Sequence, residues 1–169
     1  GAFTSTSIDA TKLSGALPAI DGSALTGVGG GKVLQVVNAT YSAQVINSTT
    51  TYADTGLTAT ITPTLATSTI LVIVNQNGCM KNANSANNGL AVQLLRGATS
   101  ISVLSLNAAF TNTASINYLS STSTNYLDSP ATTAATTYKV QFKNASATAD
   151  VRVQENGATS TITLMEIGV

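Results

Sequence analysis

A twelve-residue repeat near the start of the chain is the feature that most constrains its architecture. Residues 8–16 and 20–28 share the pattern Ile-Asp-x-(Ser/Thr)-x-Leu-(Ser/Thr)-Gly, and Pro18 between them prevents a continuous helix. Self-similarity at a fixed period is a stronger guide to architecture than local propensity. Each copy contains too few apolar residues to cover its own Ile and Leu, so the pattern predicts that several chains wrap together. The predicted contacts between the chains are Ile8, Leu13, Ile20 and Leu25.

The competing interpretation is that residues 1–31 form a flexible leader attached to a monomeric domain. Their Gly, Ser and Ala content fits a leader as readily as a shaft. The in-register repeat of Asp, Leu and Gly favours the shaft. We therefore predict a shaft with a Gly-rich hinge over residues 1–31 and a head domain over residues 32–169.

The scarcity of charge excludes several classes of partner. Only 8% of the residues are charged and the net charge is zero, whereas about 25% is usual for globular domains. The chain therefore lacks the basic surface that nucleic acids or anionic membranes attract. No apolar run approaches the ~18 residues of a membrane span, so we predict neither nucleic-acid binding nor membrane insertion. Few charges are tolerable on a surface that is buried between subunits, which again favours an oligomer.

From Lys32 onward the apolar residues recur at the spacing of β-strands. Leu57, Ala59 and Ile61 alternate with polar residues and are predicted to face inward. The same alternation predicts two further inward-facing sets, which are Tyr138, Val140 and Phe142, and Ile162 and Leu164 with Glu166 as a candidate third member. Val, Ile, Thr and Tyr, which favour strands, dominate these runs. Turn residues separate eight to ten short strands at intervals of about ten residues, which is typical of a sandwich. The sequence predicts an all-β head with a jelly-roll-like β-sandwich fold.

Three segments of the head carry more specific local predictions. The Asn-rich residues 76–88 read as a long loop or a strand extension. Residues 115–119 and 124–127 read as two weak strands around a Ser/Thr turn. Asn156-Gly157 is the strongest turn signal in the chain.

The sequence offers little for catalysis. It contains no His, no metal-binding Cys motif and no nucleotide-binding loop. Its seven acids are scattered singly, although a glycosidase needs a pair. Glu166 is distinctive because, if it faced inward at a symmetry axis, its copies would meet and would require protons, water or cations. We predict no enzymatic activity and no cofactor.

A binding surface is the remaining candidate site. Amide side chains on an Asn-rich loop can donate to and accept from sugar hydroxyls, and Tyr rings offer stacking faces. The alternative is that these residues form ordinary polar loops and half-buried aromatics. The predicted receptor-binding residues are Asn82, Asn84, Asn87, Asn88, Tyr118 and Tyr126.

Four segments of the sequence resemble a known class of proteins. Residues 13–28, 56–63, 69–72 and 161–168 are similar to segments of bacteriophage tail-fibre and other virion fibre proteins, especially those of marine phages. The resemblance implies a homotrimeric fibre on the virion surface, attached through its N-terminal side to other virion proteins. It implies a C-terminal β-sandwich head that contacts host surface molecules, and it supplies no receptor-contact residues.

Three functions follow as hypotheses. The first is a fibre head that binds host surface molecules, either glycans or proteins, during phage attachment. The second is a purely architectural fibre or decoration protein of the virion head or neck. The third is a depolymerase of surface polysaccharide. For the first, loops that project furthest from the shaft are the expected binding surface.

Overall fold

The computed structural model describes residues 32–168, which form two antiparallel β-sheets packed face to face in a β-sandwich. The predicted shaft and its contacts Ile8, Leu13, Ile20 and Leu25 lie outside the described residues. A single 3₁₀ turn, Glu155–Gly157, precedes the last strand. The strands are β1 (Lys32–Tyr41), β2 (Val45–Asn47), β3 (Ala53–Ile61), β4 (Thr69–Lys81), β5 (Asn88–Arg96), β6 (Thr99–Thr111), β7 (Asn117–Asp128), β8 (Thr136–Asn144), β9 (Val151–Val153) and β10 (Ser160–Gly168).

The first sheet is built around β4, and the second around β8 and β5. In the first sheet β1, β10, β4 and β7 are successive neighbours, while β9 pairs with the end of β4 and β2 pairs with β9. The second sheet has the order β3-β8-β5-β6. Both sheets place alternate residues in a shared core, as the period-two pattern predicts.

The predicted core residues are confirmed by their burial. Leu57, Ala59 and Ile61 of β3 face inward, and so do Tyr138, Val140 and Phe142 of β8, which are fully buried. The closing strand β10 buries Ile162, Leu164 and Glu166. Side chains that point out of the sandwich on the same strands are polar or half-exposed, so the alternation in the sequence correctly identified the inner face.

The three local predictions have different outcomes. The Asn-rich segment is a strand extension as far as Lys81 and a loop only from there to Asn88, because β4 continues to Lys81 and β5 begins at Asn88. The two weak strands around a turn were wrong, since residues 117–128 form one uninterrupted strand, β7, which pairs with β4 along nearly its whole length. The Asn156-Gly157 turn is confirmed, and β9 and β10 on its two sides both lie against β4.

The strand directions separate two ends of the sandwich. Lys32 pairs with Gly168, and Thr69 and Asp128 lie at the same end, which we call the Lys32 end. β4 runs away from it to Lys81, beside Asn117. Residues 82–87 therefore lie at the opposite end, which we call the loop end. The connections over residues 42–52, 112–116 and 145–150 reach the same end.

Candidate functional site

The outward face of the first sheet is apolar near the Lys32 end. Outward residues that share a register on β1, β10, β4 and β7 form rows across the sheet. One row is entirely apolar and consists of Val36, Met165, Leu71 and Leu127. Val36 is 56% exposed and Leu127 is 60% exposed. We call these four residues the apolar row, and Ile167 of β10 lies beside it.

Towards the loop end the same face becomes polar and contains a groove. Ile73 is followed on β4 by Asn75, and β7 contributes Ser121, Ser123 and Asn125 opposite them. These residues line an open groove of about 640 Å³ together with Val74 and Thr124. We call it the polar groove. Apart from Ile73, its outward side chains are neutral hydroxyls and amides, which can both donate and accept hydrogen bonds.

The exposed part of the Asn-rich loop lies beyond the end of β4. Asn84 and Asn87 are exposed. Asn87 has a φ of 52°, in the left-handed region that Asn tolerates better than most residues. Asn82 is half-buried, and its Nδ2 donates to Asp150 at 2.9 Å. Tyr118, opposite Met80 at the end of β4, is 59% exposed.

Two of the predicted receptor-binding residues lie elsewhere than expected. Asn88 is fully buried within β5, and its Nδ2 donates to Oδ1 of Asn144 at 3.0 Å. Tyr126 lies on the inward side of β7 and packs against the core. Neither side chain is exposed at the loop end, where Asn84, Asn87 and Tyr118 are the exposed members of the predicted set and Asn82 is half-buried.

A buried asparagine holds the loop end together. Nδ2 of Asn144 lies within hydrogen-bond distance of three carbonyl oxygens, those of Asn47 at 2.9 Å, Thr49 at 3.0 Å and Ala149 at 2.7 Å. Its Oδ1 accepts from Asn88. The amide thus joins the connections over 42–52 and 145–150 to the start of β5. Such satisfied buried networks fix one arrangement of the chain.

A buried lysine performs the same task for the connection between β6 and β7. Lys81 is fully buried at the end of β4. Its Nζ donates to Oγ1 of Thr111 at 2.8 Å, and to the carbonyl oxygens of Thr113 at 3.1 Å and Ser115 at 3.2 Å. The three donors of the ammonium group all have acceptors, which makes Lys81 a structural anchor.

The acids of the described chain serve structural contacts. Asp54 pairs with Lys139 at 2.9 Å, Asp128 with Arg96 at 2.9 Å, and Asp150 with Arg152 at 2.7 Å. Arg152 also lies 3.5 Å from Glu155. None of these acids lines the polar groove. Between residues 32 and 168 no cluster of His, Cys, Asp or Glu is suited to a metal ion, and no helix is long and apolar enough to cross a bilayer.

Glu166 faces inward, but its partners belong to its own chain. Oε2 accepts from Nε2 of Gln35 at 2.6 Å, and Oε1 accepts from the backbone N–H and the hydroxyl of Thr64, each at 2.8 Å. Burial raises the pKa of Glu166, but hydrogen bonds including those from Gln35 and Thr64 outweigh burial and lower it from 4.5 to about 2. The carboxylate therefore binds the turn that follows β3.

The polar groove and Lys81 were not identified from the sequence. The sequence predicts a turn over residues 120–123 because they are rich in Ser and Thr. The signal that identifies them is alternation, since Thr122, Thr124 and Tyr126 point inward while the intervening residues point outward. Lys81 could not be recognised, because its three acceptors come from a distant connection.

The chain was compared with known proteins by sequence. It matches no protein-family model and no curated protein.

Proposed function

We propose that residues 32–169 are the head of a homotrimeric virion fibre that binds neutral glycans of the host surface during phage attachment. The observation that carries the proposal is one continuous arrangement. The polar groove lies at the middle of β4, and the exposed Asn84, Asn87 and Tyr118 lie at or beyond the end of β4 that points away from Lys32. The chain enters the sandwich at Lys32, so these groups are the ones that project from the point of attachment.

The strand order supports a jelly roll as the specific fold of this head. Apart from the short β9 and β2 of the six-stranded sheet, the strands follow the orders β1-β10-β4-β7 and β3-β8-β5-β6, in which most neighbours are not consecutive in sequence. These orders favour two interleaved Greek keys, the topology that we propose as a jelly roll, a fold of capsid and lectin domains. Because one fold hosts many functions, the glycan assignment depends on the surface and not on the fold.

The chemistry of the surface suits a neutral sugar. Binding a sugar hydroxyl to an amide or hydroxyl desolvates no ion, and burying an unpaired ion is costly. An exposed Tyr ring adds a stacking face. Individual contacts of this kind are weak, but three heads on one shaft raise the effective concentration of sites. The proposed shaft contacts Ile8, Leu13, Ile20 and Leu25 would provide that trivalency, and the N-terminal side would attach to other virion proteins.

The experiment is a glycan array probed with the full chain and with two paired variants. Asn84→Ala with Asn87→Ala removes the loop amides, and Asn75→Ala with Ser123→Ala removes polar groups from the groove. We expect each pair to weaken binding at least about tenfold through lost hydrogen bonds and lost avidity. Thr58→Ala with Thr60→Ala, on the outward side of β3, is the matched control. Binding that survives both test pairs would place the site elsewhere.

The two other functions make different predictions in the same assay. An architectural fibre or decoration protein would bind neither the array nor whole host cells. A depolymerase would shorten surface polysaccharide in solution and would lose that activity on Asp150→Asn or Glu155→Gln. These two acids both contact Arg152.

A further inference from the structure

The middle of the first sheet and the outward side of the second differ in charge. The outward side of β3 and β8 carries Asp54, Lys139 and Lys143, and the ammonium group of Lys143 lies 4.7 Å from the centre of the Tyr52 ring. The outward rows on β1, β10, β4 and β7 from Val36 to the polar groove contain no charged side chain. They present only aliphatic side chains, hydroxyls, amides and Met165, while the charged Lys32 and Arg152 of the same sheet lie at its two ends.

Charge depletion around an apolar centre is the compositional signal of a protein interface. Interface cores lose Lys, Glu and Asp while the surrounding rim remains polar. The apolar row has that composition, because the next row on the side away from Lys32 contains Asn38, Thr163 and Asn125, with Ile73 as its one apolar member. The four adjoining apolar side chains, two of them more than half exposed, form a contiguous patch of the kind that marks interaction sites.

We propose that the apolar row is the contact between the heads of neighbouring copies of this chain. This inference rests on the proposed fibre architecture, in which residues before Lys32 hold the copies together. The row lies four residues into β1, close to the point where each chain enters its sandwich. Copies joined before Lys32 therefore bring their apolar rows together at a high effective concentration.

The identity of the partner follows from the composition of the face. A nucleic acid or an anionic lipid surface would find no cation in these rows. A bilayer interior would leave the amides and hydroxyls of the adjoining rows unpaired, which is costly. A second copy presents the same apolar row, so apolar groups can meet apolar groups. The face is then divided by function, with subunit contact near Lys32 and ligand contact at the polar groove.

Sedimentation equilibrium of the full chain tests the proposal. Val36→Asp with Leu127→Asp places charges at the two edges of the row, and we expect the association constant to fall about 100-fold or more. Val103→Asp with Leu106→Asp on β6 is the matched control, because these residues are 53% and 65% exposed on the other sheet. The control should associate like the unmodified chain, and far-UV circular dichroism establishes that each variant is folded. If the charged row variant unfolds, Val36→Thr with Leu127→Thr replaces it.

The contribution of the shaft is separated by repeating the measurement with Leu13→Asp and Leu25→Asp present. The row substitutions should weaken association further in this background, where the heads alone hold the copies. The proposal is overturned by a monomeric unmodified chain, by row variants that associate normally in both backgrounds, or by a control that weakens association equally.

Glycan binding distinguishes failure of the interface from failure of the proposed function. A dissociated row variant should retain the single-site affinity of the head, since the loop end lies at the other end of the sheet. An unmodified chain that assembles through the row but binds no glycan would refute the proposed function and leave the interface standing.

Discussion

Glu166 is a buried carboxylate whose charge is stabilised by hydrogen bonds from neutral groups. Its pKa lies at about 2, below its ordinary value of 4.5. A group whose pKa is lower in the folded state stabilises that state when it is ionised. The contribution is therefore complete above about pH 4.5 and is lost as the pH falls through about 2.

We expect Glu166→Gln to lower the free energy of unfolding at neutral pH by about 1–3 kcal/mol, because charge-assisted hydrogen bonds become neutral ones. The difference from the unmodified protein should shrink as the pH approaches 2. Urea titrations at several pH values measure it. Thr64→Val, which removes one donor and keeps the carboxylate, should show a smaller effect over the same range. An equal difference at pH 7 and at the acid limit would contradict this account of Glu166.

Asn144 concentrates the polar contacts of the loop end in one side chain. We expect Asn144→Ala to destabilise the fold by about 2–4 kcal/mol, since it leaves buried carbonyl oxygens and the Asn88 amide without partners. Thermal unfolding followed by circular dichroism provides the measurement. Asn84→Ala, at an exposed position of the neighbouring loop, should change stability by less than about 0.5 kcal/mol. Similar effects of the two substitutions would show that the network does not stabilise the loop end.

At the scale of elements, β4 organises the first sheet. It is longer than β10 and β9, which therefore share one of its edges. Its first half pairs with β10, its last residues pair with β9, and β7 lies along the opposite edge. Gly78 lies at the change of partner and has a φ of 62°. A Cβ at this position would approach the backbone nitrogen of Glu155 to 2.5 Å.

Gly78→Ala should therefore be among the most damaging single substitutions in the head, costing about 3 kcal/mol or more through backbone strain and collision. Gly97→Ala is a matched control. Gly97 has a φ of 58° but no atom lies within 4 Å of the added Cβ, so it isolates the strain, about 1 kcal/mol. Denaturant unfolding of both variants compares the two contributions. Equal losses would show that the collision with Glu155 is relieved at no cost.

The sequence predicted which residues of a strand face inward better than it predicted where a strand ends. Inward positions of β3, β8 and β10 follow from alternation, because burial selects apolar side chains at every second residue. The extension of β4 past Asn75 depends on β7 and β9 as partners, and β7 alternates with polar residues on both sides. Pairing between distant segments overrides local composition there. The same limit applied to the site, since Asn84, Asn87 and Tyr118 are exposed at the loop end, whereas Asn88 is buried there and Tyr126 lies on the inward side of β7.

At the scale of the whole molecule, the unequal charge of the two outward faces predicts how assembly responds to salt. Exposed ion pairs weaken as salt screens them, whereas apolar contacts strengthen in salts that are excluded from protein surfaces. Association through the apolar row should therefore persist at high sodium chloride and tighten in sodium sulfate. Sedimentation over a salt series checks this expectation. Dissociation of the copies at high sodium chloride would instead indicate that charged residues hold them together.

The antiparallel pairing of β1 with β10 also determines how the head bears mechanical load. A pull between Lys32 and a ligand held at residues 82–87 runs nearly parallel to β1, β10 and β4, because all three extend between the two ends of the sandwich. The backbone hydrogen bonds between these strands are then loaded together in shear, so they must break as a group and not one after another. In the proposed fibre, force from a tethered cell would be shared by all the hydrogen bonds that join β1 to β10 and β10 to β4. The same force applied across the sheet would break those hydrogen bonds one at a time.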